Sequence, residues 1–421
     1  MIQFKKTVLP NGIRVVSELH PSSRAVSLGV WLLTGTRDEA AEMAGISHFL
    51  EHLVFKGTKN RSAYQIAKSL EALGGDLNAF TSRENTCYHA LVLRDHWPVA
   101  MDVLSDLVSH MRIDRKNFKL EKGVILQEIA MCEESPEEMI FDIFADRVYG
   151  KHSLGRPILG NIKSIANMTQ TQVVNYYRQH YTGQNMIVSA AGNIDHQDLV
   201  EMVHKKLGHK KKLKLSSKRT APRWNKIRHI VEKNSEQVHI LFGLPAASFN
   251  DPYRFEALII NSLLGGGMTS RLYQSVRERK GLVYSIYSLL NTYVDVGQIN
   301  IYAAADPEKV QEVVEIIFNE LKKLKNSGVR RSDVELFKTQ VVGNILLGSD
   351  DIENRMNSLC VNEMIFGKYR SVESVVDEIK KVTVDSVHEY LEEKFRLNAL
   401  SGVLLGPGLS SIADWWKDVE V

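Results

Sequence analysis

Three side chains within five residues have the types and spacing to do chemistry: His48, Glu51 and His52, inside the stretch from Gly45 to Gly57. Leu, Val and Phe flank them at helical spacing, so the segment reads as an amphipathic helix. Positions 48 and 52 then share one face, and two imidazoles can converge on one metal ion. Glu51 projects beside that face, close enough to take a proton from water. Zn2+ suits two imidazoles and one carboxylate with a fourth position open. The plainer alternative is a helix with two surface histidines and an incidental glutamate. A third ligand decides between them, and the stretch from Glu121 to Glu128 offers two. It reads as a second helix whose glutamates lie seven apart on one face. A solvated acidic face is the alternative there.

Around these residues the chain shows two parallel sets of elements. Thr7 to Val16 reads as a hairpin turning at Asn11-Gly12, and Ala25 to Leu33 as a strand. A helix near Ala63 to Leu73 ends at Gly74-Gly75, before strands at about 76–82 and 86–93. Long helices cover roughly 96–110, 115–132 and 136–148, and a strand at 186–191 closes the first half. Val174, Tyr177, Tyr181 and Asn185 are echoed by Val387, Tyr390, Phe395 and Asn398, an offset of about 213 residues (387 − 174). The expected fold class is therefore α+β: two similar domains, each an antiparallel β-sheet covered by α-helices. The expected domains are 1–208 with the metal motif, 209–222 as a basic linker, and 223–421 as the second copy. Where the first copy has His48 and His52, the second has Asn261 and Gly265, so it carries no metal pattern.

Composition narrows the function classes. The 421 residues are 44% hydrophobic and 24% charged, ordinary for a globular protein, and a net charge of +3 is too mild to imply a nucleic-acid partner. No run approaches the roughly 18 apolar residues of a membrane span, and no membrane partner is expected. The opening residues show no signal or transit pattern, which points to a cytoplasmic protein. Cys87, Cys132 and Cys360 are odd in number and widely spaced, so buried reduced thiols are expected. The basic run from Lys205 to Arg219 lacks interleaved aromatic residues and reads as a solvated linker. Gly265 to Arg271 lacks the Gly-Lys-Ser/Thr ending of a phosphate cradle, so nucleotide binding is rejected.

The motif around His48 to Thr58, the run from Gly74 to Glu84 and the helix from Glu121 to Glu128 together resemble the pitrilysin-like zinc peptidases, whose mark is the inverted His-x-x-Glu-His pattern. The closest branch is the bacterial processing-peptidase type, similar to the catalytic subunit of mitochondrial processing peptidase. The resemblance runs from about residue 3 to about 405. It implies that His48, His52 and Glu128 bind one Zn2+ per chain, that Glu51 is the base, and that Glu121 is a supporting acidic residue. It also implies that Asn78 and Ala79 pair with extended substrate, and that Phe55 walls the residue after the cut. Glu138 and Asp142 resemble an acidic pair that receives a substrate Arg. Arg277 and Tyr284 resemble a pair that holds the substrate carbonyl, and the glycine-rich segment at 265–267 resembles a chamber lining. The expected function is a zinc endopeptidase cleaving extended or unfolded peptides inside a closed chamber. Two copies are expected to form a homodimer, because metal motif and Arg/Tyr pair sit in different halves. The rival reading is a non-catalytic scaffold or partner protein, as some relatives are; the four intact motif residues disfavour it.

Overall fold

The computed structural model describes residues 3–213 and 219–419. The expected basic linker is described only in part, since Lys214 to Lys218 lie outside those residues. Two sheets organise the chain. The first contains β1 (Gln3–Val8), β2 (Arg14–Leu19), β3 (Ala25–Leu32), β4 (Asp76–Thr81), β5 (Thr86–Leu93) and β6 (Met186–Gly192), in the order β1-β2-β6-β3-β5-β4. The second contains β7 (Arg228–Glu232), β8 (Val238–Ala246), β9 (Val283–Thr292), β10 (Gly297–Ala305) and β11 (Ser401–Gly406), in the order β7-β11-β8-β10-β9. Apart from the extra β1, the two orders match strand for strand. Each sheet is antiparallel except for one parallel pair, β2 with β6 and β7 with β11. The duplication read from the sequence is thus a duplication of topology, and the fold is the expected α+β. β7 and β11 were not anticipated individually.

The helices of the first half include α1 (Ile46–Val54), α2 (Ala63–Glu71), α3 (Trp97–His110), α4 (Arg115–Glu134) and α5 (Pro136–Tyr149). α1 and α3 bury Phe49, Leu50, Leu53, Val103, Leu104 and Leu107 in one core with β3 and β5. Each such side chain contributes roughly 1.5–3 kcal/mol on burial. β3 is buried along almost its whole length, which requires cover on both faces of the sheet.

That second cover comes from a distant part of the chain. Where the sequence reading divides the chain once, at 209–222, the two compact units are discontinuous. The first comprises residues 1–130, 156–219 and 347–370, and the second 131–155, 220–346 and 371–421. In the first unit the helix Ile352–Phe366 seals the outer face of the sheet, with Met356, Leu359 and Cys360 packed on Val16, Trp31, Cys87 and Ile187. In the second, α5 packs Ile140, Phe144 and Val148 on Leu241, Tyr302, Val403 and Leu405. Cys87 and Cys360 are buried free thiols; Cys132, expected buried, is half-buried. Among the described residues no helix is long and apolar enough to cross a membrane.

The linker is better anchored than a solvated run would be. Lys206 pairs with Asp102, Lys210 Nζ donates to the Val108 carbonyl at 2.7 Å, and Arg219 grips both oxygens of Asp38 at 2.9 and 2.7 Å.

Glu18 fastens the helix Ile352–Phe366 to its sheet. Arg355 donates to both carboxylate oxygens at 2.8 and 2.6 Å, and Tyr369 and His20 complete the shell at 2.8 and 2.7 Å. Burial by itself would raise this carboxyl; the bonds from His20, Arg355 and Tyr369 overcome burial and hold it at about 2. Arg355→Met leaves Glu18 buried and uncompensated, so unfolding free energy should fall by about 3–5 kcal/mol, read from urea midpoints. The folded pKa lies below the ordinary 4.5, so the contribution is present above pH about 4.5 and lost as pH falls towards 2. Wild type and variant should therefore converge in stability across that window.

Candidate active site

α1 begins at Gly45, whose φ of 90° suits glycine, and whose added Cβ would lie 2.5 Å from the Leu159 carbonyl oxygen. The free N–H groups at this helix start are met by Glu39, which accepts from Gly45 and Ser47, both at 2.8 Å. Burial pushes the Glu39 carboxyl up to about 7, against the pull of those two bonds. With Ile46, Phe49, Leu50, Leu53 and Val54 facing the core, His48, Glu51 and His52 are left on the less buried side.

α4 brings the carboxylates. It buries Glu121, Ile125 and Ile129, and Glu128 follows Glu121 by two turns. The expected ligands converge: atoms of His48, His52 and Glu128 lie within 4.8 Å of one another, and among the described residues this is the one group that could hold a metal. Glu128 Oε2 is 3.4 Å from His52 Nε2 and 4.0 Å from His48 Nε2. Metal–ligand bonds of about 2.0–2.2 Å in a tetrahedral site separate ligand atoms by roughly 3.4 Å. Glu128 Oε2 is shielded from solvent without a hydrogen-bond partner, as a carboxylate reserved for a cation would be. Burial first, then the neighbouring His52, lowers the His48 imidazole to about 4, so its lone pair is free at neutral pH. The residues present fit Zn2+.

Further contacts orient these groups. His52 Nδ1 lies 3.3 Å from Glu121 Oε2, and Lys56 Nζ is 3.0 Å from Glu121 Oε1. With its proton on Nδ1, His52 donates to Glu121 and turns the Nε2 lone pair toward Glu128. Glu51 accepts from Thr81 Oγ1 at 2.5 Å, and burial raises its carboxyl against that bond. Thr81, Glu39 and Lys56 were missed by sequence reasoning. Lys56 was legible, one turn after His52; Glu39 and Thr81 act across the fold and left no periodic signal.

The other expected residues take definite places. Phe55 caps α1 and, with Ala63, Ile66, Leu70 and Leu77, lines a pocket of about 130 Å³. Asn78 and Ala79 lie on β4, the edge strand of the first sheet, where Asn78 Oδ1 accepts from the Ala79 N–H at 2.8 Å. The remaining four belong to the second unit. Glu138 and Asp142 are one turn apart on α5; burial, then these two carboxylates, pushes the Cys132 thiol up to about 11. Arg277 lies on a π-helical turn, its guanidinium 4.9 Å from the Tyr273 ring and 5.2 Å from that of Tyr284. Tyr284 is 80% exposed at the start of β9, an edge strand.

A duplicated α+β fold with a His-x-x-Glu-His helix and a distant glutamate defines a protein of the metallopeptidase type. Residues 14–162 match the family described as insulinase (peptidase family M16), and residues 167–341 match the peptidase M16 inactive domain. The chain belongs to peptidase family M16, the pitrilysin-like zinc peptidases. An uncharacterized zinc protease of Mycobacterium tuberculosis is 38% identical over 391 residues, covering 91% of this chain and 89% of that protein. The uncharacterized zinc protease YmxG of Bacillus subtilis is 36% identical over 392 residues, covering 93% and 96%. A protease of Helicobacter pylori has the same fold, with a TM-score of 0.89 at 21% identity over 97% of this chain and 100% of that one. These relatives support a peptidase-like role and zinc as the metal. The inactive-domain match begins inside the first unit, beyond His48, His52 and Glu128, and runs on into the half without the metal pattern.

Glu121→Gln weakens the acceptor that orients His52, and metal affinity should fall about 10- to 100-fold. Competition against a chromophoric chelator measures this, with His48→Ala as the ligand-deleted control. Wild-type affinity in Glu121→Gln would show that the contact does not orient the imidazole.

Proposed function

We propose that this protein is a zinc-dependent endopeptidase that cleaves extended or unfolded peptides, binding one Zn2+ per chain through His48, His52 and Glu128. The observation that carries this reading is the convergence of His48 and His52 of α1 with Glu128 of α4, beside Glu51 on the α1 face. A Zn2+ held there supplies a Lewis acid that acidifies water and polarises a carbonyl. Glu51 takes the proton of the attacking water and returns it to the leaving amine. The open edge of β4, at Asn78 and Ala79, suits an extended peptide added as a further strand through main-chain bonds. Phe55 and the small pocket it lines suit an apolar side chain next to the cut, and the carboxylates of Glu138 and Asp142, one turn apart on α5, suit an Arg before it.

The reading extends to a homodimer. Arg277 and the exposed Tyr284 are donors suited to a developing oxyanion, and they occupy the unit that has no metal motif. Two copies related by a two-fold axis would set the metal of one against the Arg/Tyr pair of the other, in two closed chambers.

Glu51→Gln should keep its zinc and lose about 10²- to 10⁴-fold in peptide cleavage; near wild-type turnover would refute the assigned base. Mixing Glu51→Gln with Arg277→Ala/Tyr284→Phe should restore some activity through hybrid dimers. Hybrids that form and stay inactive would remove the pair from the reaction across the interface.

A further inference from the structure

Glu51 must present one carboxylate oxygen to water, yet a glutamate side chain has three rotatable torsions and stands beside the like charge of Glu128. Something has to hold it. The hydrogen bond from Thr81 Oγ1 ends on Oε2 of Glu51, and among the described residues none reaches Oε1. One oxygen is anchored and the other left for the proton.

The anchor itself is rigid. Alternation along β4 puts Leu77, Ala79 and Thr81 on one face, and Leu77 and Ala79 pack on the core that contains Phe49 and Leu50 of α1. On the opposite face Phe80 meets Trp31 edge-on, ring centres 5.5 Å apart. Thr81 pairs with Thr86 of β5, and Ser82 N–H donates to the Asn85 carbonyl at 2.8 Å, closing the hairpin just beyond it. The Ser82 carbonyl in turn accepts from Thr36 N–H at 3.2 Å. The threonine backbone is therefore fixed on both sides, and its hydroxyl donor is directed at α1.

We infer that Thr81 is a positioning residue for the reaction: its hydroxyl fixes Glu51 in the orientation that leaves Oε1 to the attacking water. This rests on the peptidase reading and adds a physical link within it. Thr81 lies three residues beyond Asn78 on the strand assigned to the substrate, so the element that receives the peptide also aligns the base. The bland alternative is a β-branched strand residue whose hydroxyl merely finds the nearest acceptor.

Two substitutions separate these. Thr81→Val keeps the shape and β-branching and loses the donor; Thr81→Ser keeps the donor and loses a methyl group. With zinc-loaded enzymes and a peptide that the wild type cleaves, Thr81→Val should lower kcat about 10- to 100-fold with KM within about twofold. Thr81→Ser should recover to within about threefold of wild type. In the Glu51→Gln background, Thr81→Val should cost nothing further, since its effect passes through Glu51. A measurement independent of turnover uses protein carrying ¹³C-labelled glutamate. Infrared difference spectra of wild type against Thr81→Val should show a shifted carboxylate band that is absent for wild type against Thr81→Ser. The inference is overturned if Thr81→Val keeps wild-type kcat, if its loss lies wholly in KM, if Thr81→Ser loses as much as Thr81→Val, or if no carboxylate band responds. A wild type that cleaves no peptide while the infrared band still shifts would sink the peptidase reading and leave the contact standing.

Discussion

Three carboxylates, Glu51 of the nine-residue α1 and Glu121 and Glu128 of α4, gather where these two helices meet, and their mutual repulsion must be answered locally. Two unit charges 4 Å apart interact by about 4 kcal/mol at an effective dielectric near 20. Glu121 is answered by Lys56 and by the ring proton of His52, and Glu51 by the Thr81 hydroxyl. Glu128 Oε2 receives no hydrogen bond and faces two imidazole nitrogens. A divalent cation between them satisfies the oxygen and both nitrogens at once. The helices, caps and cores of the first unit serve to hold this arrangement out of bulk water.

Holding it takes more than the helix that carries the motif. α1 has nine residues, too short to be stable alone, and tertiary packing supplies what propensity cannot. Glu39 satisfies its first N–H groups, the apolar face is spent on the core, and the sheet beneath is sealed from behind by a helix from the far end of the sequence. The two helices that cover the outer sheet faces occupy equivalent places in the repeat, Pro136–Tyr149 and Ile352–Phe366, and each lies in the unit built mainly from the other half of the chain. Unfolding either sheet therefore strips cover contributed by a distant part of the sequence.

Duplication freed the two copies to diverge. The strand orders are the same, so the scaffold is retained, while the helix after β8 carries Asn261 and Gly265 where α1 carries its histidines. The second unit offers an arginine stacked between two phenol rings, one of them exposed at a sheet edge.

Much of this was legible in the sequence because it depends on local spacing. The four-residue step from His48 to His52, the seven-residue step from Glu121 to Glu128 and the 213-residue repeat are all regular spacings, and the helical ones dictate which residues share a face. The choice of Glu128 over Glu121 as third ligand was not written in that spacing; it followed from the resemblance to the pitrilysin-like peptidases. Which helix covers which sheet was not legible there either, because the spacing within α5 and within the helix Ile352–Phe366 names no partner sheet, and only the path of the chain assigns them. β11 went unread because a short strand buried along its whole length has no alternation to display, and β7, five residues of intermediate or full exposure, shows none either. Thr81 and Glu39 stayed hidden for a related reason. Each meets its partner through a side chain that crosses between elements, Thr81 from an edge strand to Glu51 and Glu39 from a loop to a helix start. Such a meeting exists only once β4, α1 and the turn before it are packed, so tertiary structure alone decided it.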